Sequence, residues 1–318
     1  MNDLDYESTL VDRIAKIQAI NEQYDLEHNA YISFSGGKDS VILSHLLDIA
    51  LQNNHIPRVY ANTGIDYKYI REFVKELASK DTRIQVLNSG VNLKKMWEND
   101  GYPFKSKQHS LMLSTYWNTK DKNEYNLTIK TYLGIVKRPK KFKCPKMLEY
   151  QFTPNFNLKC SDKCCARLKK IPMKKWAKEN NKTICLTGMR KEEGGQRTSI
   201  GCIVTDNDNK LVKFHPLLVV TEEWENKFVE RERVELCKLY KPPYNFKRTG
   251  CKGCPFDLNI QETLNTMYKL LPQEYYQCLH LWKPVYDEYI RIGFRLKYYP
   301  HERGVQMNLF DYIREEEE

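Results

Sequence analysis

The stretch AYISFSGGKDSVILSHLL, Ala30–Leu47, joins an alternating apolar run to a second apolar run that has helical spacing. It predicts a strand over 31–34, a glycine-rich loop, and a helix over 40–51. A loop in this position presents backbone N–H groups and the positive end of a helix dipole, and both favour an anion. The loop is shorter than the Gly-x-x-x-x-Gly-Lys-Ser/Thr phosphate loop. The alternative is a plain helix cap at Asp39 or Ser40.

The side chains of this loop suit a phosphate group and its metal ion. Two adjacent glycines let the backbone approach phosphate oxygens without a Cβ in the way. The serine hydroxyls can donate hydrogen bonds, the lysine supplies positive charge, and the aspartate is suited to hold the Mg²⁺ that phosphates bring. Lys38 and Asp39 are therefore candidate catalytic residues. The candidate ligand-binding residues of the loop are Ser35, Gly36, Gly37, Lys38, Asp39 and Ser40.

Beyond this stretch, predicted strands continue to alternate with predicted helices. A strand over 58–61 is followed by a helix over 67–79 and a strand over 83–87, and later strands are predicted over 183–187 and 210–215. Helices are also predicted over 222–240 and 260–292. Such alternation favours parallel βαβ units with right-handed crossovers. We therefore predict an α/β fold with a mostly parallel, Rossmann-like sheet of about five strands flanked by helices.

The alternation is interrupted once and stops before the end of the chain. We predict an N-terminal helix over 1–29 and a nucleotide domain over 30–256. An insertion at about 99–159, rich in Lys, Asn, Tyr and Ser, interrupts that domain and is partly helical around 108–118. Residues 257–318 are predicted to form a helical extension whose acidic end is disordered.

Cysteine content and hydropathy bear on the compartment. The chain has ten cysteines, and its first twenty residues are acidic and amphipathic, without the apolar core of a signal peptide. We therefore expect a cytoplasmic protein whose thiols are metal ligands or reactive groups rather than disulfides. No apolar run approaches the roughly 18 residues of a membrane span, so we expect no membrane partner.

The positive charge is concentrated in one segment. The whole chain carries a net charge of +10, whereas Lys137–Lys182 alone contains fifteen Lys and Arg residues against three acidic ones. A basic segment of this kind favours a polyanionic partner, and DNA or tRNA would fit it. The alternative is a solvated, lysine-rich surface.

Four cysteines form a separate pattern. Cys164 and Cys165 are adjacent, and Cys251 and Cys254 form a Cys-x-x-Cys motif. Four soft thiolates suit an iron–sulfur cluster or a zinc ion. Zinc sites more often draw on two Cys-x-x-Cys units, so the adjacent pair favours a [4Fe–4S] cluster. Zinc, or redox and structural thiols, are the alternatives.

The Ser-Gly-Gly-Lys-Asp-Ser loop resembles the PP-loop of the ATP pyrophosphatases and adenylylsulfate reductases, which together form the adenine-nucleotide α-hydrolase superfamily. In these proteins the loop holds a pyrophosphate or sulfate-phosphate group next to the nucleotide α-phosphate. Asn62, Thr63 and Gly64 resemble the Asp-Thr-Gly that ends the second strand of the reductases, with Asn62 replacing the aspartate. The resemblance implies that these three residues line the nucleotide pocket.

Two later segments extend the resemblance to the phosphoadenosine phosphosulfate reductase family. TGMRKEEGGQR, residues 187–197, resembles the Thr-Gly-x-Arg segment, which implies that Gly188, Arg190 and Arg197 contact phosphate or sulfate oxygens. A loop with solvated charges is the alternative. Residues 213–229 resemble the reductase segment that ends a strand with His/Asn-Pro-Leu and opens a helix, and we assign this segment a structural role only.

The cysteine spacing resembles the [4Fe–4S] ligands of bacterial and plant adenylylsulfate reductases. Lys169 and Pro172 match the Cys-Cys-x-x-x-Lys-x-x-Pro-Leu pattern that contains the first pair, and Met173 replaces its leucine. The C-terminal Glu-Cys-Gly-x-His nucleophile motif of those reductases is missing from this sequence. Cys278 falls within an apolar helical pattern, so we predict that it is a core or helix-surface cysteine.

The resemblance implies an enzyme that binds ATP, cleaves it at the α-phosphate with release of pyrophosphate, and supports iron–sulfur-dependent sulfur transfer. A nucleic acid would accept the sulfur, a donor such as a cysteine desulfurase would supply it, and Cys160 or Cys144 would carry it. The alternative is a reductase that forms sulfite from adenylylsulfate or its 3′-phosphate. A non-catalytic iron–sulfur module that binds nucleic acid is a third hypothesis, from another class.

Overall fold

The computed structural model describes residues 1–119, 125–137 and 143–302. The chain divides into two units. The first comprises Met1–Gly90 and Leu168–Gly250, and the second comprises Val91–Arg167 and the residues from Cys251 onward. Parts of the predicted basic segment and the acidic tail fall outside the described residues, namely Arg138, Lys140, Lys141 and 315–318.

The first unit is built on a six-stranded, mostly parallel sheet. The strands are β1 Ala30–Phe34, β2 Arg58–Asn62, β3 Ile84–Asn88, β4 Ile184–Leu186, β5 Ile203–Thr205 and β6 Leu211–Phe214. Their order across the sheet is β3-β2-β1-β4-β6-β5. Neighbouring strands are parallel except for β5, which pairs antiparallel with β6. The predicted α/β class with a mostly parallel sheet is confirmed.

Helices follow most strands of the sheet and also make up much of the second unit. In chain order they are α1 Asp3–Tyr24, α2 Leu26–Asn29, α3 Lys38–Ala50, α4 Lys68–Lys80, α5 Leu93–Asp100, α6 Lys107–Trp117, α7 Leu127–Tyr132, α8 Ile171–Glu179, α9 Glu222–Arg231, α10 Ile260–Leu270 and α11 Pro272–Arg291. None of the helices in the described ranges is long and apolar enough to span a membrane.

The sheet is packed between helices because its central strands are apolar on both faces. β1 and β2 are almost wholly buried, as expected for strands covered on both sides. On one face, Tyr31, Val59 and Ala61 pack against Met173 and Ala177 of α8. This packing fixes the carboxyl ends of the parallel strands, which is the edge where open α/β sheets bind ligands.

The observed elements differ from the prediction in three places. β5 was not predicted. The helix predicted over 222–240 ends at Arg231, and a separate 3-10 turn follows at Lys238–Tyr240. The helix predicted over 260–292 is two helices, because the chain breaks at Leu271 and restarts at Pro272. Proline has no backbone N–H to continue a helix and is favoured in the first helical turn, so it starts α11 rather than extending α10.

The insertion has a core of its own within the second unit. The ring of His109 on α6 is fully buried, with Nδ1 2.9 Å from the hydroxyl of Tyr132 and Nε2 2.7 Å from Oε1 of Gln151. Burial lowers the pKa of His109 to about 4, so the imidazole is neutral at physiological pH. A neutral ring bonded through both nitrogens ties α6 to α7 and to the following 3-10 helix. The predicted helix over 108–118 is confirmed by α6.

Candidate functional site

The Ser-Gly-Gly-Lys-Asp-Ser loop turns sharply between β1 and α3. Gly36 has a φ of 68°, and a Cβ at this position would lie 2.5 Å from Cγ2 of Val74. Gly37 caps α3, and its N–H donates to Oγ of Ser35 at 3.2 Å. Oγ of Ser35 also lies 3.0 Å from Oγ of Ser40. The backbone of the loop therefore takes a conformation that glycine allows, and the two hydroxyls meet at its base.

A pocket of about 500 Å³ opens at the amino end of α3. Six cationic and four acidic side chains line it, so its character is strongly ionic. A pocket with this many charged groups at a helix N-terminus is suited to a highly charged anion. The predicted site residues that line it are Ser35, Gly37, Lys38, Asp39, Ser40, Arg190 and Arg197.

Gly188 shapes the pocket without lining it. A Cβ at this position would lie 2.6 Å from the backbone oxygen of Asp39, inside van der Waals contact. The end of β4 can therefore approach the amino end of α3 only because residue 188 has no side chain. This approach brings Arg190 beside the loop, where its Nε is 3.8 Å from Oδ1 of Asp39.

Glutamates pair with the arginines around the pocket. Nη1 of Arg190 is 2.7 Å from Oε2 of Glu192, and Nε of Arg197 is 3.1 Å from Oε2 of Glu193. Glu193 also pairs with Arg248. An incoming phosphate would compete with these carboxylates for the guanidinium groups, which bind phosphate oxygens in bidentate fashion.

Sequence reasoning missed Glu225 of α9, because it gave residues 213–229 a structural role only. The Glu225 side chain is fully buried, and its Oε2 lies 3.3 Å from Nζ of Lys38 and 3.2 Å from Nε of Arg190. Burial and then the charge of Asp39 raise the pKa of Glu225 to about 8, against the opposing effects of Arg190 and Lys38. A carboxyl group at the junction of these two cations belongs to the site.

Tyr240 is a second residue that the sequence pattern did not single out. The backbone N–H of Lys38 donates to the Tyr240 hydroxyl at 3.0 Å, and that hydroxyl lies 2.5 Å from Oγ1 of Thr249. The pair occupies one of the N–H groups that α3 would otherwise present to a ligand. Little in the sequence indicates Tyr240. Its partner Thr249 stands out in the sequence only because it lies two residues before the Cys-x-x-Cys motif.

Asn62, Thr63 and Gly64 form a tight turn after β2 and are not among the residues that line this pocket. Oδ2 of Asp66 accepts hydrogen bonds from the N–H and the hydroxyl of Thr63, both at 2.8 Å. Oδ1 of Asn62 accepts from the N–H of Gly64 at 3.1 Å. These contacts organise the end of β2. The expected contact of these three residues with a nucleotide stays a prediction.

The predicted cluster cysteines all belong to the second unit. Cys164 is buried, and Cys165, Cys251 and Cys254 are partly buried. The pKa of Cys254 is raised well above its usual range, first by burial, then by Cys251, and further by Cys165 and Cys164. The four thiols are therefore electrostatic neighbours. Within 1–119, 125–137 and 143–302, no three His, Cys, Asp or Glu side chains already form a metal site.

The donor set fits an iron–sulfur cluster by its chemistry. Four cysteines provide the soft thiolates that such a cluster needs. The turn from Cys251 to Cys254 is closed by a 3.2 Å backbone hydrogen bond, and Gly253 within it has a φ of 58°. Neighbouring buried thiols resist ionisation on their own, whereas bound metal keeps thiolates deprotonated.

Cys144, Cys160 and Cys278 are also buried. Burial raises the pKa of Cys144 to about 12 and also raises the pKa of Cys160. Cys160 lies in a short bridge with Tyr102. Cys278 is fully buried on α11, which confirms it as a core residue. A sulfur carrier reacts as a thiolate, so Cys144 or Cys160 would have to become exposed before carrying sulfur.

The sheet and the pocket at its loop define an α/β protein of the PP-loop type. The sequence matches the Phosphoadenosine phosphosulfate reductase domain over residues 29–132 and 109–256. The two matches together span most of the chain, which therefore belongs to the phosphoadenosine phosphosulfate reductase family. No curated protein matches the chain in sequence.

Several solved structures resemble the chain at low sequence identity. Phosphoadenylyl-sulfate reductase from Candida auris, in a phosphate complex, is 12% identical with a TM-score of 0.43, and the match covers 79% of this chain and 96% of that one. FMN adenylyltransferase from Candida glabrata is 14% identical with a TM-score of 0.45, covering 79% and 66%. A tRNA thiolase from Methanococcus maripaludis with its [4Fe-4S] cluster is 14% identical with a TM-score of 0.38, covering 88% and 80%.

Proposed function

We propose that this protein binds ATP with Mg²⁺ in the ionic pocket and transfers the adenylyl group to an oxygen of the sulfur acceptor. The bond between the α- and β-phosphates breaks, pyrophosphate leaves, and sulfur can then replace the adenylylated oxygen. The observation that carries the proposal is the pocket itself. There Arg190 lies beside Lys38 and Asp39 of the Ser-Gly-Gly-Lys-Asp-Ser loop. In this proposal Lys38 and Arg190 hold the pyrophosphate oxygens. Asp39 holds the metal ion, and the loop backbone holds the phosphate nearest the α-position.

The sulfur chemistry is proposed for the four cysteines of the second unit. Cys164, Cys165, Cys251 and Cys254 would hold a [4Fe–4S] cluster, which when bound supplies an iron site for sulfur chemistry. The basic segment from Lys137 to Lys182 fits a DNA or tRNA acceptor through phosphate contacts. A desulfurase-type donor would supply the sulfur, and Cys160 or Cys144 stays the proposed carrier.

The experiment that tests the ATP step is a pyrophosphate-release assay on the anaerobically purified protein, with ATP, Mg²⁺ and either duplex DNA or tRNA. We expect pyrophosphate release that depends on one of the two nucleic acids. We expect Asp39→Ala to abolish the release without changing the circular dichroism spectrum. Absence of pyrophosphate release with both nucleic acids would overturn the proposal.

The cluster is tested on the same preparation, independently of turnover. We expect a brown protein with broad absorbance near 400 nm, about four iron atoms per chain, and matching acid-labile sulfide. A colourless preparation that contains zinc would overturn the cluster and leave a zinc site in its place.

A second candidate function is reduction of adenylylsulfate or its 3′-phosphate to sulfite, which the family membership favours. The missing C-terminal cysteine motif weighs against it. Sulfite release in the presence of thioredoxin, without ATP turnover, would make this the function. If neither reaction occurs but the protein binds nucleic acid, the non-catalytic module becomes the better proposal.

A further inference from the structure

Glu225 carries a buried carboxyl group that contacts two cations of the ionic pocket. Its carboxylate is fully buried and pairs with two cations, but neither oxygen makes a well-aligned hydrogen bond to a described residue. Nε of Arg190, which is also buried and faces this carboxylate, likewise makes no well-aligned hydrogen bond. Buried polar atoms are usually hydrogen-bonded, and an exception calls for a functional explanation. Stabilisation of the fold by an ion pair is a poor explanation for a buried carboxylate, because desolvation offsets most of the attraction between buried charges.

The geometry places this carboxylate where it can act on both cations of the proposed phosphate site. Oε2 of Glu225 lies 3.3 Å from Nζ of Lys38 and 3.2 Å from Nε of Arg190. Lys38 begins α3 directly after the glycine loop, and Arg190 comes from the loop after β4. One carboxylate oxygen therefore bridges the two chain segments that supply the phosphate-binding charge.

We propose that Glu225 is a positioning residue of the anion site, and that its ionised form competes with ligand phosphate groups for Lys38 and Arg190. The inference rests on the proposed function of the pocket and adds its regulation by proton concentration. When the carboxyl group carries a proton, both cations are available to the ligand. When it is ionised, the ligand must first displace it.

Other charged groups around Glu225 set the pH at which this exchange occurs. Asp39 of α3 shares Arg190 with Glu225, and Glu222 of α9 lies 3.9 Å from Nζ of Lys38. Glu192 engages the opposite side of the Arg190 guanidinium. With burial and Asp39 as its main causes, the pKa of Glu225 is raised to about 8. Asp39 and Glu225 interact strongly, so an observed midpoint belongs to the pair.

An anion bound to Lys38 and Arg190 disfavours the ionised form of Glu225, so ligand binding raises its pKa further. Binding above pH 8 must then take up protons from the solvent. A purely structural Glu225 would affect the stability of the fold and would not link ligand binding to protons.

The test measures the Kd of ATP·Mg between pH 7 and pH 9.5 for the wild type, Glu225→Gln and Glu230→Gln. We expect the wild-type Kd to rise about tenfold between pH 7 and pH 9, since ionisation with a pKa near 8 removes about nine-tenths of the competent form. We expect the Kd of Glu225→Gln to change by less than about twofold beyond the change due to the nucleotide alone. Glu230 is exposed on the same helix, so Glu230→Gln should follow the wild type.

A second measurement does not depend on a variant that folds. Calorimetric titration of the wild type with ATP·Mg at pH 8.5, in buffers of different ionisation enthalpy, should show net proton uptake. Equal pH dependence in the wild type and Glu225→Gln, or no proton uptake by the wild type, would overturn the inference. Failure of the wild type to bind ATP·Mg at any pH would instead overturn the proposed function of the pocket.

Discussion

The indole N–H of Trp282 donates to the backbone carbonyl of Lys252, with 3.0 Å between nitrogen and oxygen. Lys252 lies inside the Cys-x-x-Cys motif. The hydroxyl of Tyr286 donates to the carbonyl of Gly253, and that of Tyr289 donates to the carbonyl of Pro255 at 2.8 Å. One face of α11 thus holds the backbone of the cysteine loop through three contacts.

The spacing of these donors explains why a helix can do this. Trp282, Tyr286 and Tyr289 are four and three residues apart, so they lie along one stripe of α11. All three side chains are fully buried, where an unsatisfied carbonyl would be costly. The aromatic stripe therefore contributes apolar packing and also satisfies the carbonyls of a loop that belongs to no regular structure.

Replacing one of these donors should loosen the cysteine loop. Tyr286→Phe keeps the ring but leaves the buried carbonyl of Gly253 without this donor, so we expect the free energy of unfolding to fall by about 1–3 kcal/mol. We also expect faster loss of the 400 nm absorbance in air. Urea denaturation and a timed absorbance decay measure the two effects.

The control for this prediction is Tyr276→Phe. Tyr276 is on the same helix but is 53% exposed, so loss of its hydroxyl should change neither quantity measurably. If the two variants behave alike in both measurements, the hydrogen bond to the cysteine loop does not have the role that we assign to it.

The glycine of the Cys-x-x-Cys motif should tolerate no side chain. A Cβ at Gly253 would lie 2.5 Å from the Tyr286 hydroxyl and 2.8 Å from Sγ of Cys278, and its φ is 58°. Gly134→Ala is the matched control. Gly134 also has a positive φ, 78°, but a Cβ there would meet no atom of the described residues within 4 Å.

Both substitutions incur the backbone cost of a left-handed residue, about 1–2 kcal/mol. Only Gly253→Ala adds overpacking, so we expect it to lose about 1–3 kcal/mol more stability than Gly134→Ala, together with most of its bound iron. Urea denaturation and iron analysis measure the difference. Equal losses in the two variants would show that the loop relaxes away from α11 at no cost.

Much of the first unit was predictable because local pattern and tertiary structure agree there. Alternation of apolar runs predicted β1 to β4 and β6, together with the helices after β1 and β2. β5 was missed because it is partly exposed and pairs antiparallel at the edge of the sheet. β4 is equally short, but two of its three residues are buried and apolar, whereas three partly exposed residues give too little pattern to recognise before the partner strand is known.

The site was predictable only where a motif carried it. Lys38, Asp39 and Arg190 lie in recognisable segments, whereas Glu225 lies among other glutamates in the first turn of α9. Acidic residues at that position are expected simply because they complement the helix dipole. Its burial depends on Lys38 and Arg190, which are distant in sequence, and no periodicity in α9 reveals that contact.

The close approach of β4 to α3 should depend on Gly188. In Gly188→Ala, the added methyl group would lie 2.6 Å from the backbone oxygen of Asp39, so the amino end of α3 must shift. We expect the Kd for ATP·Mg to rise at least about tenfold, because the shift displaces both Asp39 and Arg190. Calorimetry measures the affinity.

Gly201→Ala is the comparison for this variant, because its nearest contact is looser, 3.1 Å from the backbone oxygen of Ile203. It should bind ATP·Mg as the wild type does. Unchanged affinity in Gly188→Ala, with the fold intact by circular dichroism, would show that the contact between these segments does not position Asp39 and Arg190 for binding.

The raised pKa of Glu225 should also make the stability of the fold depend on pH. A carboxyl group with a pKa of about 8 in the native state and 4.5 when unfolded binds its proton more tightly in the native state. Its contribution to the free energy of unfolding is therefore fully present below about pH 4.5. That contribution is lost progressively as the pH rises toward about 8.

Glu225→Gln cannot ionise, so its free energy of unfolding should fall less steeply with pH than that of the wild type. The difference between the two proteins should grow between pH 5 and pH 8 by roughly 3–5 kcal/mol at most, and then level off. Urea denaturation at several pH values, without nucleotide, measures it. Parallel curves for the two proteins across this range would mean that Glu225 is ionised throughout, with Lys38 and Arg190 fully compensating its charge.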